Sequence, residues 1–445
     1  MRNAIALSAL PVALLLTGCP GKNTEEGCVE GGSGTLDVHV RDFDASWVTD
    51  PGVDVYDSSG VLVGTFSESG TTTLPSGVYT VAVRRGVAAP DTFAGSASGL
   101  LSDTVSEVCV PDGGSYALDV TAEPQPSSSR LWGYSGETLA GYTGISDPGA
   151  EVGADTVLRF AGAGELRGIA WDRYGNLWAA TSPSSGTRLL VVEPAAVAGK
   201  GDASVLQTVT STALEGAEVH DLDLDAAGNL WVTVSAGPDG FAGVLVFGED
   251  ALRNGVLGVT DITPSRSWSI AGALAPERLF FDAEGGFYVA DPGTDSVFHV
   301  AALGTVAGAD ATAPADGALT PDAAFTVSID PGTGPADLVE PTDMMLDETG
   351  LWVLYRGSGV AAHVSRSANG AVRSNFTYTT NDVGFPGGLV RDGANGIWVG
   401  GETESGPGDL QRFDAATADI DLHTTLPDLP SPVSLAFDPP VPLPE

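Results

Sequence analysis

The sequence predicts an all-β protein whose larger part is a six-bladed β-propeller. Its composition is rich in turn formers, with 59 glycines and 29 prolines, and it shows little helical periodicity. A strand–turn–strand unit recurs five times in the last two-thirds of the chain. A sixth unit is divided between the end of the chain and a segment that starts at residue 130. Many short strands separated by glycine-containing turns are typical of all-β folds, and a long repeat is typical of propellers.

The chain begins with a pattern that predicts a secretory signal over residues 1–18. Arg2 precedes the apolar run 4–16, and Thr17-Gly18-Cys19 follows. The run is shorter than the ~20 apolar residues that a transmembrane helix needs. This ending resembles a lipobox, which implies that Cys19 is lipidated and that the membrane is a partner through the lipid. An ordinary signal peptide with an incidental cysteine is the alternative.

The cysteine count agrees with lipidation. The chain has 3 cysteines, and Cys28 and Cys109 remain as a pair if Cys19 carries lipid. Both flank the small domain described below, and a secreted protein meets an oxidising compartment, so we expect a disulfide between them. Metal ligation is the alternative, but it lacks further cysteines or a histidine cluster. Pro20 stands where an Asp is associated with inner-membrane retention, which favours the outer membrane of a bacterial cell envelope.

The charge balance excludes one class of partner. The chain has 19 Lys+Arg against 58 Asp+Glu, a formal net charge of -39. Such a surface repels phosphates, so we expect no nucleic-acid partner. The acidic residues are spread along the chain, which indicates a solvated folded surface.

The first third of the chain predicts a tether (19–33), a small β domain (34–122) and a linker (123–129). Residues 35–40 alternate as a strand does, and residues 53–65 form a hairpin pattern around Asp57-Ser58-Ser59-Gly60. A turn at 74–77 leads into a further strand. These runs resemble the transthyretin-like, carboxypeptidase-regulatory-type domains, which implies a β-sandwich that acts as a spacer. The prolines and serines of 123–129 are typical of a linker.

The remaining residues, 130–445, contain the repeat. Each unit is an apolar strand ending in Asp, a short turn with glycine, and a second strand that opens with an aromatic residue. The units recur about 45 to 65 residues apart, and their Asp residues are Asp172, Asp225, Asp282, Asp347 and Asp392.

A divided unit predicts how the propeller closes. Residues 434–438 are a first strand that ends in Asp438, and residues 130–134 are a second strand that has no first strand before it. Pairing of the two would complete a sixth blade and close the ring, which protects the sheet edges.

The motifs of the repeat resemble those of NHL-repeat and SMP-30-like propellers. Gly-Ile-Ala-Trp-Asp at 168–172 and Gly-Asn-Leu-Trp at 175–178 and 228–231 carry the resemblance. It implies the propeller fold but not a function, because propellers have many unrelated activities. We expect each repeat Asp to accept hydrogen bonds from its own turn, and the Trp and Tyr residues to pack between blades.

The strand positions that we expect to line the central channel predict the candidate site. Because side chains alternate along a strand, the positions four and two before each repeat Asp share one face. Four before, the six units have Gly168, Asp221, Arg278, Asp343, Gly388 and Ser434. Asp223 lies two before its repeat Asp, and His220 and Glu277 lie beside the group. Either Arg278 bridges carboxylates in a structural charge network, or the carboxylates bind a ligand or a divalent cation, calcium or magnesium.

The function predicted from these features is a non-catalytic binding or scaffolding surface for an envelope protein or polymer. The alternative is a metal-dependent lactonase or lyase, since related propellers include both. His299 and His363 fall on outer strands, so no catalytic histidine pair is evident. No nucleophile elbow, zinc-protease motif or phosphate loop is present, and no catalytic residue is assigned.

Overall fold

The computed structural model describes residues 32–438 with internal gaps, the longest of which are 42–51 and 85–95. The predicted signal, Cys19, Cys28 and nearly all of the tether lie outside the described residues. The disulfide with Cys109 therefore stays a prediction. Within the described part, no helix is both long and apolar enough to cross a membrane.

The described part of the N-terminal region contains nine strands. They are β1 (Ser33–Arg41), β2 (Gly52–Tyr56), β3 (Leu62–Phe66), β4 (Gly70–Pro75), β5 (Gly77–Arg84), β6 (Ser96–Leu100), β7 (Val105–Val110), β8 (Ser115–Thr121) and β9 (Pro124–Ser128).

Two sheets of this region share one hydrophobic core. Their strand orders are β4-β1-β8 and β3-β2-β5-β7. Leu36 of the first sheet and Val55 and Val81 of the second belong to the same buried cluster. The predicted hairpin is confirmed, because β2 and β3 pair antiparallel and the amide of Val61 donates to Asp57 Oδ1 at 3.0 Å.

The predicted linker differs from the structure. Residues 124–128 form β9, which pairs antiparallel with β6 in a two-stranded sheet. The backbone φ of proline is close to that of an extended strand, and a two-stranded sheet leaves an open edge where its missing N–H is tolerated. The prolines therefore allow a strand here.

The repeat region contains the other strands. In chain order the first are β10 (Arg130–Ser135), β11 (Thr138–Tyr142), β12 (Thr156–Arg159), β13 (Glu165–Trp171), β14 (Leu177–Ser182), β15 (Arg188–Val192), β16 (Lys200–Asp202), β17 (Val205–Thr210), β18 (Glu218–Leu224), β19 (Leu230–Ala236), β20 (Gly243–Phe247), β21 (Gly258–Asp261), β22 (Arg266–Ile270), β23 (Arg278–Phe281) and β24 (Phe287–Asp291). They continue with β25 (Ser296–Val300), β26 (Gly317–Leu319), β27 (Ala323–Ile329), β28 (Ala336–Asp337), β29 (Pro341–Leu346), β30 (Leu351–Tyr355), β31 (Val360–Val364), β32 (Gly370–Arg373), β33 (Phe376–Thr379), β34 (Gly388–Arg391), β35 (Gly396–Glu402), β36 (Gly408–Asp414), β37 (Ile420–Leu426) and β38 (Ser434–Asp438). A short helix, α1 (Glu249–Arg253), follows β20.

These strands form antiparallel sheets, which we number along the chain. Sheet 1 is β38-β10-β11-β12, sheet 2 is β13-β14-β15-β17 and sheet 3 is β18-β19-β20-β22. Sheet 4 is β23-β24-β25-β27, sheet 5 is β29-β30-β31-β33 and sheet 6 is β34-β35-β36-β37. The first strand of each sheet contacts that of the next, and β38 contacts both β13 and β34.

The last strand of the chain pairs with β10 as the divided repeat predicts. Trp132 lies opposite Ala436, and Trp178 lies opposite Ala170 in sheet 2. Sheet 1 therefore has the register of an undivided sheet although its first strand comes from the end of the chain.

Short parallel strands connect the outer edges of the sheets. In sheets 1 to 4, the fourth strand pairs in parallel with β16, β21, β26 or β32, each of which belongs to the segment before the fourth strand of the following sheet. These strands cover edges that would otherwise expose unpaired backbone groups.

The hydrophobic core lies between the sheets. Six buried clusters each combine residues of two neighbouring sheets, as Val232 of sheet 3 does with Val191 of sheet 2. Removal of these apolar side chains from water holds neighbouring sheets together.

Candidate functional site

The repeat Asp residues have the structural role that the sequence predicts. Asp172 Oδ1 accepts from the amide of Asn176 at 2.9 Å, and Asp392 Oδ1 accepts from the amide of Gly396 at 2.7 Å. A second role was not predicted. Four indole N–H groups also donate to these carboxylates, at 2.7–3.0 Å, from Trp178, Trp231, Trp352 and Trp398.

The predicted channel face brings three charged residues together. Arg278 donates from Nη1 to Asp221 Oδ1 at 2.8 Å and from Nε to Asp343 Oδ1 at 2.8 Å. Both carboxylates are buried. One guanidinium therefore joins the first strands of sheets 3, 4 and 5. We call Asp221, Asp223, Arg278 and Asp343 the axial cluster.

The second oxygens of the two carboxylates bind backbone amides of the next sheet. Asp221 Oδ2 accepts from the amide of Leu279 at 3.2 Å, and Asp343 Oδ2 accepts from the amide of Leu389 at 2.7 Å. First strands of neighbouring sheets do not pair as a ladder, so these side chains supply the hydrogen bonds between them.

Glycines occupy two positions of the same face for a steric reason. A Cβ on Gly168 would lie 2.9 Å from Asp221 Cα, and one on Gly388 would lie 2.8 Å from Ser434 Cα. Since real Cβ atoms do not approach backbone so closely, these first strands touch only because the residue is glycine.

Tyr134 joins the axial cluster although the sequence analysis did not select it. It lies on β10, the second strand of sheet 1, and its hydroxyl donates to the carbonyl of Arg167 at 2.8 Å. Burial raises the pKa of Tyr134 to about 12, while Arg278 nearby lowers it. Counting along first strands could not find it, because it reaches the axis from a second strand.

Burial dominates the electrostatics of the axial cluster. It raises the pKa of Asp221 to about 7 and that of Asp223 to about 6, against the lowering effect of Arg278. It raises the pKa of Asp343 as well. Asp223 is half-buried and accepts from the amide of Leu224 at 2.8 Å.

His220 and Glu277 have other partners. His220 Nε2 lies 2.5 Å from Ser235 Oγ, and burial lowers its pKa to about 4, so the ring is neutral at pH 7. Burial raises the pKa of Glu277, and Arg356, 3.9 Å away, opposes this. We call these two residues with Arg167 and Arg356, which act on both, the rim group.

A β-bulge explains where the rim group lies. The pairing of β18 with β19 shifts between Val219 and Asp221, and that of β13 with β14 shifts between Leu166 and Gly168. The extra residue is His220 in one strand and Arg167 in the other. Bulges re-aim side chains, and strict alternation along the strand does not predict them.

The carboxylates of the axial cluster do not fit a calcium or magnesium site. Both oxygens of Asp221 and both of Asp343 already accept hydrogen bonds, and Arg278 stands between the two side chains. Within the described part of the chain, no group of three or more His, Cys, Asp or Glu residues is arranged to hold a metal ion. The geometry favours the charge network, and the lactonase or lyase activity stays a prediction.

Comparisons with known proteins return structures but no family. No family model matches the chain, and no curated protein does. A Bacteroides caccae protein of unknown function is 12% identical, covers 70% of this chain and 99% of its own, and has a TM-score of 0.47.

Two further solved structures have lower TM-scores. The extracellular domain of a candidate one-component system from B. thetaiotaomicron is 15% identical, covers 66% of this chain and 34% of its own, and has a TM-score of 0.38. Virginiamycin B lyase from Staphylococcus aureus is 12% identical, covers 59% of this chain and 70% of its own, and has a TM-score of 0.35. The order of the sheets and the contacts between their first strands make the chain an all-β protein of propeller type.

Proposed function

We propose that this chain is a lipid-anchored, extracytoplasmic protein of the bacterial envelope with a six-bladed propeller and an N-terminal β-sandwich. Its rim group binds an envelope protein or polymer without catalysis. The order of contacts among the first strands, which returns to β38, supports six blades in a closed ring. The shared core of the two N-terminal sheets supports the sandwich.

One observation carries the binding role. Arg278 of the axial cluster is held by two carboxylates at 2.8 Å, whereas Arg356 of the rim group is exposed and loosely paired. The side chain of Arg356 is 41% exposed and lies 3.9 Å from Glu277 and 3.6 Å from Glu340. Exposed pairs at such distances contribute little to stability, so they can exchange partners at low cost.

The anchor is supported by the pattern that ends at Cys19, and it is tested separately. A Cys19→Ala variant expressed in a bacterial host should leave the membrane fraction, and the wild-type N-terminal peptide should carry the mass of lipid. Recovery of the variant in the membrane fraction would contradict the anchor.

The binding role is tested with matched arginine variants. The soluble chain from residue 20 is cross-linked to an envelope extract, and the captured species is then titrated against wild type, Arg167→Ala/Arg356→Ala and Arg373→Ala. Arg373 is the control because its side chain is 68% exposed and its Nη2 lies 3.0 Å from Asp330 Oδ2, so it is also an exposed, paired arginine. We expect roughly tenfold weaker binding by the double variant, a loss of about 1.4 kcal/mol, and none by the control. Equal binding by all three would rule out the rim group as the surface.

A further inference from the structure

We propose that the axial cluster holds one proton among its carboxyl groups and that release of this proton near neutral pH destabilises the fold. The contribution of the cluster to the stability of the fold thus depends on pH. This inference does not depend on binding at the rim group.

The charges of the cluster do not balance. Asp221 and Asp343 contact the one guanidinium, Arg278, and Asp223 adds a third carboxyl group whose charge acts on it. Asp225, the residue after β18, adds to the negative potential at Asp223.

Among the described residues, Arg278 is the cation that acts on Asp221, Asp223 and Asp343. Sheets 2 and 6 contribute Gly168 and Gly388 at the same level, and sheet 1 contributes Ser434 and the neutral hydroxyl of Tyr134. A buried site with excess negative charge draws a proton instead, because an uncompensated buried charge costs several kcal/mol (about 1.4 for each pKa unit).

Hydrogen-bond donors indicate which groups share the proton. Asp343 accepts from Arg278, from the amide of Met344 at 2.8 Å and from the amide of Leu389 at 2.7 Å. Asp221 accepts from Arg278 and, over a longer distance, from the amide of Leu279. Asp223 accepts from a single amide, that of Leu224. Donors stabilise the ionised form, so Asp343 stays charged and the proton belongs to Asp221 and Asp223.

These two residues titrate as a pair. They lie two positions apart on β18, on one face of the strand. Their pKa values are about 7 and about 6, and the charge of Asp223 raises the pKa of Asp221.

The sign of the pH effect follows from these pKa values. Both lie above the ordinary value of 3.8, so between roughly pH 4 and 7 the folded chain binds protons that the unfolded chain does not. The stabilisation is fully present below the unfolded pKa and is lost as pH rises through 6 to 7. When all three carboxyl groups are ionised, Arg278 does not balance their charge, and the repulsion of Asp221 by Asp223 lowers the stability of the folded chain.

The experiment compares thermal unfolding of the full mature chain at pH 5.5 and pH 8 in wild type, Asp223→Asn and Asp202→Asn. Asp202 is an exposed residue of β16 and controls for the acidic surface. We expect Tm of the wild type and of Asp202→Asn to fall by about 3 °C or more between these pH values. We expect Asp223→Asn to lose at least half of that fall. The same fall in Tm in all three chains would overturn the proposal.

Two further measurements keep the proposal testable if Asp223→Asn does not fold. Infrared spectroscopy of the wild type labelled with ¹³C-aspartate should show a protonated buried carboxyl at pH 5.5 that is lost by pH 8, and its absence at pH 5.5 would overturn the proposal. Calcium is then added at pH 8. Appearance of a shifted carboxylate band on calcium addition would show that a cation, not a proton, balances the cluster.

Discussion

The turn after the first strand is built in two ways in this molecule. In sheets 2 and 3 the turn contains an asparagine whose side chain donates to the repeat Asp. Asn176 Nδ2 lies 2.9 Å from Asp172 Oδ2, and Asn229 Nδ2 lies 2.8 Å from Asp225 Oδ2. The donor and the acceptor both belong to one turn.

In sheets 4, 5 and 6 the asparagine is replaced by glycine, and the third strand supplies the partner. His299 Nε2 lies 2.9 Å from Asp282 Oδ2, and Arg412 Nε lies 2.7 Å from Asp392 Oδ2. His363 Nε2 lies 3.5 Å from Asp347 in sheet 5. The corresponding residues of sheets 2 and 3 are valines, Val191 and Val246, each opposite a tryptophan.

The turn and the third strand compete for one space. A Cβ on Gly286 would lie 3.1 Å from His299 Nε2, and one on Gly396 would lie 2.0 Å from Arg412 Nη2. A side chain in the turn therefore excludes a long side chain on the third strand. In sheets 2 to 6 the repeat carboxylate has a second partner, and either side of this space provides it.

The two constructions differ most in charge, and an Asp→Asn change exposes that difference. Asp392→Asn would leave the guanidinium of Arg412 without its carboxylate, at a cost of about 3 kcal/mol. Asp172→Asn would disturb its bonds from the neutral donors Asn176 and Trp178, at about 1 to 2 kcal/mol. Urea unfolding of both variants measures the two losses in free energy of unfolding. Equal losses would show that the charge of Arg412 does not add to the cost.

Exchange of one construction for the other tests the competition for space. Gly396→Asn in sheet 6 should destabilise the fold by about 2 kcal/mol, because the new side chain meets Arg412. Adding Arg412→Val, the arrangement of sheets 2 and 3, should recover at least half of that loss. A double-mutant cycle of unfolding free energies gives the coupling, and additive losses would mean that the two positions do not share one space.

The sequence predicted one half of each turn. Asp, glycine and the aromatic residue recur within ten positions, so the pattern shows them and predicts the Asp–amide bonds that the structure has. The third-strand donor lies farther along the chain, and the intervals vary. Only the pairing of Trp398 with Arg412 and of Tyr288 with His299 brings it to the turn.

The axial cluster was predictable for a related reason. Positions counted back from the repeat Asp place Asp221, Arg278 and Asp343 on one face, and the structure joins them. Tyr134 and the bulge at His220 were not predictable, because both depend on how a second strand meets the first. Periodicity shows which residues of one strand share a face, but it does not show the register between strands.

The smallest expected difference in stability lies between the two turns that contain an asparagine, those of sheets 2 and 3. Asn229 Oδ1 also accepts from the amide of Glu249 at 3.0 Å, where helix α1 begins. Asn229→Gly should therefore cost about 1 to 2 kcal/mol, and Asn176→Gly, which loses only the donor to its repeat Asp, about 1 kcal/mol. Hydrogen exchange of the α1 amides locates the additional loss, since only Asn229→Gly should speed their exchange. If both variants speed it alike, the bond to Glu249 does not hold the start of the helix.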